Sequence, residues 1–160
     1  MDNITINALA FSVNIEPDYS HGAPWEEECG HGPVSDWTMR AKLPGERVLC
    51  EDHGSRRYYD VAEATRIAKR DGWGISRERL AEWRERIGQE PTRGQIVAAA
   101  VERDFQYLRA WCNDEWSYVV VTVELTDVDG ESTPCYASLG GVVSDDEDHI
   151  EEVAEELARE

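Results

Sequence analysis

Residues 93–127 read RGQIVAAAVERDFQYLRAWCNDEWSYVVVTVELTD, and their apolar period changes midway. Ile96, Val97, Ala100, Val101, Phe105, Leu108 and Trp111 recur three or four places apart, the spacing of one helix face. Pro91 and Thr92 open that helix, which is expected to run to about Asn113 as the central core helix. WSYVVVTVELTD, 116–127, is instead dense in β-branched and aromatic residues, and is the strongest strand in the chain. A long helix feeding such a strand sets the expected class: α+β, an antiparallel sheet with a long central helix and an acidic C-terminal helix.

Downstream, VDGES turns the strand into TPCYASLGG, which Gly140 and Gly141 are expected to end. Ser144 with Glu147 forms a capping-box pattern for a last helix over 145–160. Its inner face is Ile150, Val153, Ala154 and Leu157. Asp145, Asp146, Glu147 and Asp148 crowd its positive end, and Glu151, Glu152, Glu155 and Glu156 lie outward. Upstream, Ser76 caps SRERLAEWRERIG, with Leu80, Trp83 and Ile87 as a narrow apolar stripe. A helix from about Asp60 carries Val61, Ala64, Ile67 and Ala68 and ends at Gly72. GERVLC (45–50) and RRYYD (56–60) flank EDHGS as a β-hairpin. Residues 4–15 alternate like a half-buried strand with an irregularity near Ala8. Residues 16–44 form a long irregular acidic loop, and 1–160 is expected to be one domain.

The net charge is −18, unevenly spread. Residues 1–52 carry 3 basic and 10 acidic side chains, 53–114 carry 12 and 10, and 115–160 carry 1 and 14. A near-neutral centre between two acidic ends disfavours nucleic acid and anionic membrane and favours a basic protein surface. No run of 18 apolar residues could span a bilayer, and MDNITINALAFSVNIEPD has no signal-peptide pattern, so a soluble cytoplasmic protein is expected. In a reducing cytosol Cys29, Cys50, Cys112 and Cys135 are expected as free thiols, Cys112 and Cys135 as core fillers. Acidity with only two lysines would also suit a salt-loving host.

PWEEECGHGPVSDW, 24–37, holds three glutamates, a Cys-Gly-His triplet and two tryptophans, with prolines and glycines that speak against helix or strand. Trp25 and Trp37 are expected to anchor an irregular cap on the core, leaving Glu26, Glu27 and Glu28 exposed as a protein-binding edge. The same triplet allows a metal reading, because Cys29, His31, Cys50 and His53 make a two-thiol, two-imidazole zinc set. No CxxC pair is present, so zinc and no cofactor at all both remain open. Cys29 beside His31 could also be written as nucleophile and base, yet no hydrolase, zincin or phosphate-loop motif accompanies it, and no catalytic residue is assigned.

The segments PWEEECGHGPVSDW, LPGERVLCEDHGSRRYYD (43–60) and RDGWG (70–74) resemble short uncharacterised proteins of tailed phages and prophages of Gram-negative bacteria. The resemblance covers about a third of the chain, Pro24 to Gly74, and implies a context and no activity. In that context small acidic proteins often inhibit host restriction enzymes or CRISPR complexes. Carboxylates three or four apart on a helix lie about 5–6 Å from one another. Phosphates along a DNA strand recur at roughly 6–7 Å, so the acidic helix could imitate a nucleic-acid backbone. The leading expectation is therefore a non-enzymatic DNA-mimic inhibitor of a basic nucleic-acid-handling protein. The alternative is a small zinc-supported adaptor in phage DNA metabolism.

Overall fold

The computed structural model describes residues 2–160. It is α+β, and the chain forms two compact units. Met1–Gly22 and Asp114–Glu160 form a sheet unit, and Ala23–Asn113 form a helical unit. Each unit has its own core.

In the sheet unit, strands β1 (Asp2–Ile6), β2 (Leu9–Pro17), β5 (Tyr118–Thr126) and β6 (Ser132–Val143) pair antiparallel in the order β1-β2-β5-β6. The expected single strand over 4–15 is a hairpin: Ile6 pairs with Leu9, and Asn7 and Ala8 both have positive φ. Two consecutive left-handed residues make the type I′ turn whose twist suits a two-residue hairpin. The irregularity near Ala8 is thus a reversal of the chain. Register Phe11↔Leu125, Val13↔Val123 and Ile15↔Val121 aligns apolar residues on one face. Helix α5 (Glu147–Leu157) covers part of that face, and Val13, Val119, Val121, Val123, Val142, Val153 and Ala154 are buried between them.

Gly140 and Gly141 do not end β6, which continues to Val143 through an irregularity opposite Val119–Val121. Gly141, at φ +72°, takes the left-handed conformation that such a kink requires. The N-cap of α5 is Asp146, which accepts from the His149 N–H at 3.0 Å, and not Ser144. Ser144 instead accepts from the Ser117 N–H through its hydroxyl, closing the end of the β5–β6 pair.

In the helical unit, α4 (Arg93–Cys112) is the core helix. Thr92 and Gln95 exchange capping-box bonds at its start. The hairpin of β3 (Glu46–Asp52) and β4 (Ser55–Asp60) and helix α2 (Val61–Asp71) pack on it, burying Leu49, Tyr59, Ala64, Ala68, Val97, Val101, Phe105 and Leu108. Asp60 caps α2 and Gly72 ends it in the left-handed conformation. Ser76 caps α3 (Arg77–Ile87) as expected, though none of its residues is fully buried.

The irregular stretch is shorter and more ordered than 16–44. Pro17 still belongs to β2, and Pro24–Glu27 form a one-turn helix, α1, despite the flanking glycines and prolines. Farther on, Val34 and Thr38 bridge to Tyr59 and Arg56 of β4.

Candidate functional site

The acidic C-terminal helix and the Cys/His loop belong to different units. The pairing of β2 with β5 joins the chain's two acidic ends in one unit. The sheet unit carries 18 acidic residues and a single basic one, Arg159, a net of −17. The helical unit carries 16 acidic and 15 basic residues, a net of −1. Nearly all of the net charge therefore sits on the sheet unit, in its strands, its helix and their connecting loops.

Glu147, Asp148, Glu151, Glu152, Glu155 and Glu156 of α5 are all exposed, as are Asp145 and Asp146 before it. Arg159 is already engaged by Glu155 at 2.7 Å, and His149 lies 4.0 Å from Glu152. Such surface contacts cancel little of the field. Asp18, by contrast, is drawn inward. It accepts from the Gly141 N–H at 2.8 Å and from both the N–H and the hydroxyl of Ser20, and His21 lies 3.0 Å away. The Ser20 bonds first, then Gly141 and His21, overcome the cost of burial and hold its carboxyl at about 2.

Glu26, Glu27 and Glu28 belong to the other unit, at the one-turn helix α1 and its C-cap, and are exposed. Trp25 is half-buried and meets Trp111 edge-on at 5.3 Å, while Trp37 is exposed. The Arg57 guanidinium lies 5.1 Å from the Trp25 ring and 5.2 Å from that of Trp37. Only the first tryptophan is an anchor in the expected sense.

The Cys/His set does not assemble into a metal site. Cys50 is joined to Cys112 by a disulfide across 62 residues, correcting the expectation that both are free thiols. His53 stands exposed in the β3–β4 turn, paired with Asp52. Cys29 and Cys135 are free and exposed, so Cys135 is no core filler. Among the described residues no group of three or more His, Cys, Asp or Glu is placed to hold a metal ion.

His31 has a different role. Its Nδ1 lies 2.6 Å from Asp104 Oδ1, and with a carboxylate partner that nitrogen must donate. Asp104, on α4 and almost fully buried, also accepts from the Gly32 N–H and the Tyr59 hydroxyl, each at 2.7 Å on Oδ2. The other ring nitrogen faces Glu28 Oε2 at 3.5 Å, and the ring stacks on Tyr107 at 5.8 Å. Burial works against the imidazolium, but the bond to Asp104 and the charges of Asp104 and Glu28 outweigh it, holding the His31 pKa above its ordinary 6.5. Burial and the Asp104 carboxylate together push the Tyr59 phenol far up, keeping it a neutral donor. A Cβ on Gly32 would lie 2.5 Å from the Tyr59 oxygen, so glycine is required for this approach. The cluster clamps the 24–37 loop to α4. The imidazole ring, with Asp104 at one nitrogen and Glu28 near the other, ties the loop to the helix.

Asp104 was missed at the sequence level. Its signal was present, because position 104 falls on the same stripe as Val97, Ala100, Val101 and Leu108, where a carboxylate demands partners. Comparison of the chain with protein-family models, curated proteins and solved structures found no match.

Proposed function

We propose that the protein is a non-enzymatic binder that occludes a basic, nucleic-acid-handling protein, with the sheet unit presenting carboxylates where the target expects phosphates. The observation that carries this reading is the segregation of charge: −17 on the sheet unit against −1 on the helical unit. Potentials of this kind steer a cationic partner into encounter and are screened by salt. The exposed face of α5 supplies carboxylates one helical turn apart, on the scale of phosphate spacing. Glu26, Glu27 and Glu28 with Trp25 and Trp37 offer a second, smaller contact edge on the helical unit.

A host-defence complex of a Gram-negative bacterium, restriction enzyme or CRISPR effector, is the partner class that fits a phage-encoded inhibitor acting in the cytoplasm. Among the described residues no helix is long and apolar enough to cross a membrane.

The test is recovery of a target from bacterial lysate on the tagged chain, eluted by a salt gradient and challenged with DNA. One basic nucleic-acid enzyme should elute as salt rises and be displaced by DNA. Reversal of Glu151, Glu152, Glu155 and Glu156 to Lys should abolish its retention. Undiminished retention by a folded reversal variant would sink the reading.

A further inference from the structure

The sheet unit is acidic outside, yet one end of its apolar face is not covered. Helix α5 has 11 residues and rises about 16 Å. Strand β5 has nine residues and extends roughly 30 Å. The helix cannot roof the whole strand, and beyond its C-terminal turn lies a groove of ≈ 620 Å³. Ile6, Leu9, Phe11 and Leu125, which the register places on the α5 face of the sheet, line it together with Leu157 at the helix end. Leu9 is 51% exposed, so the lining is reachable from solvent. Exposed apolar surface next to dense charge is unusual unless something covers it.

We propose that this groove seats an apolar side chain of a cationic segment of the partner, giving the charge-driven encounter a fixed register. The inference rests on the binder reading above and names the anchor that reading lacks. Charge selects among the possible occupants. A second copy would bring another unit of −17, and a bilayer surface or a nucleic acid would bring its own anions. A basic segment with one large apolar residue gains from both components. Long-range attraction draws it to the unit, and burial in the groove slows its departure. The groove's own charged residues fit this division, because Arg159 is held by Glu155 and leaves Glu160 to meet a cation at the rim.

The test uses the full chain and two short labelled arginine–glycine peptides, alike except for a central tryptophan or alanine. At low salt both should bind through charge, the tryptophan peptide about tenfold tighter. Ala158→Trp fills the groove from the helix end, and Leu9→Gln makes its floor polar at an exposed position that tolerates the change. Each should reduce the tryptophan advantage to less than about twofold while leaving the alanine peptide's affinity unchanged. Equal binding of the two peptides by the parent chain would overturn the inference, as would an advantage that survives in both folded variants. Self-association in sedimentation that Ala158→Trp abolishes would also overturn it, making a second copy the occupant. If neither peptide binds at low salt, the charge-based reading itself fails, which separates the two ideas.

Discussion

Replacing Asp104 with alanine should be among the most damaging single changes in the helical unit. The carboxylate is 8% exposed and accepts from His31, Gly32 and Tyr59 at 2.6–2.7 Å. Its loss leaves the Gly32 N–H and the Tyr59 hydroxyl without an acceptor, at about 1–3 kcal/mol for each orphaned donor. It also leaves His31 with one carboxylate, Glu28, in place of two. Breaking a buried charged pair from one side costs about 3–5 kcal/mol in other proteins, and these contributions overlap. We expect Asp104→Ala to lower unfolding free energy by about 4 kcal/mol. Asp104→Asn keeps one acceptor but turns an NH₂ toward a donor, and should cost about 2–3 kcal/mol. The second signature is pH. The folded-state pKa of His31 is raised, so its contribution is complete below the ordinary 6.5 and is lost as pH climbs through the higher folded value. Urea unfolding followed by tryptophan fluorescence at pH 5.5 and 8.5 reads both effects. The parent should lose stability between those pH values, and the Asp104 variants should lose less. A variant within about 1 kcal/mol of the parent at pH 5.5, or an unchanged pH slope, would refute the clamp.

Three further outcomes follow from the same contacts. Thiol titration of the unfolded, unreduced chain should count Cys29 and Cys135 alone, and reduction of Cys50–Cys112 should cost about 4 kcal/mol, the loop-closure value for 62 residues. Four titratable thiols before reduction would dismiss the bond. Asp18→Asn should blunt acid resistance: the folded carboxyl titrates at about 2, so its contribution is present above the ordinary 3.8 and is lost only as pH falls through 2. The midpoint of acid unfolding should therefore move upward in the variant, and an unmoved midpoint would count against the Asp18–Gly141 tie. Added sodium chloride should raise the unfolding midpoint, because it screens carboxylates crowded on the sheet unit. A flat or falling midpoint would show that self-repulsion is not a significant cost.

Period and punctuation made the local elements legible. The helix stripe of 96–111, the caps at Asp60, Ser76 and Thr92, and the Gly54 turn each declare themselves within a few residues. What could not be read needs residues far apart in the chain. The β2–β5 pairing that makes one sheet from the two ends spans more than a hundred residues, and no local pattern specifies it. Cys50 beside His53 looked like half of a zinc set because spacing is visible and Cys112 is remote. The stretch near Ala8 reads as an irregularity because alanine rarely takes positive φ, and the Asn7-Ala8 turn lacks the usual glycine. His31 was singled out for its neighbour Cys29, whereas its partner is Asp104, 73 positions away.

The same long-range pairing changes what the acidity means. Segment by segment, the charge runs acidic, near-neutral, acidic, which a composition bias toward acidic residues could produce. The fold sorts it further. A host adapted to high salt would acidify every solvent-facing surface, including that of the helical unit. That unit instead keeps 15 basic residues against 16 acidic ones, many in pairs such as Arg40–Glu46, Arg47–Glu102 and Arg56–Glu51. Net acidity confined to one unit, with a single arginine left on it, fits the proposed partner better than a uniform adaptation to salt. Salt then has two opposite expected effects on one molecule. It should steady the sheet unit by screening self-repulsion, and it should loosen the complex by screening attraction. A chain whose acids serve solubility alone would show the first effect without the second. Measuring stability and partner retention across one salt series therefore separates the two meanings of the same eighteen charges.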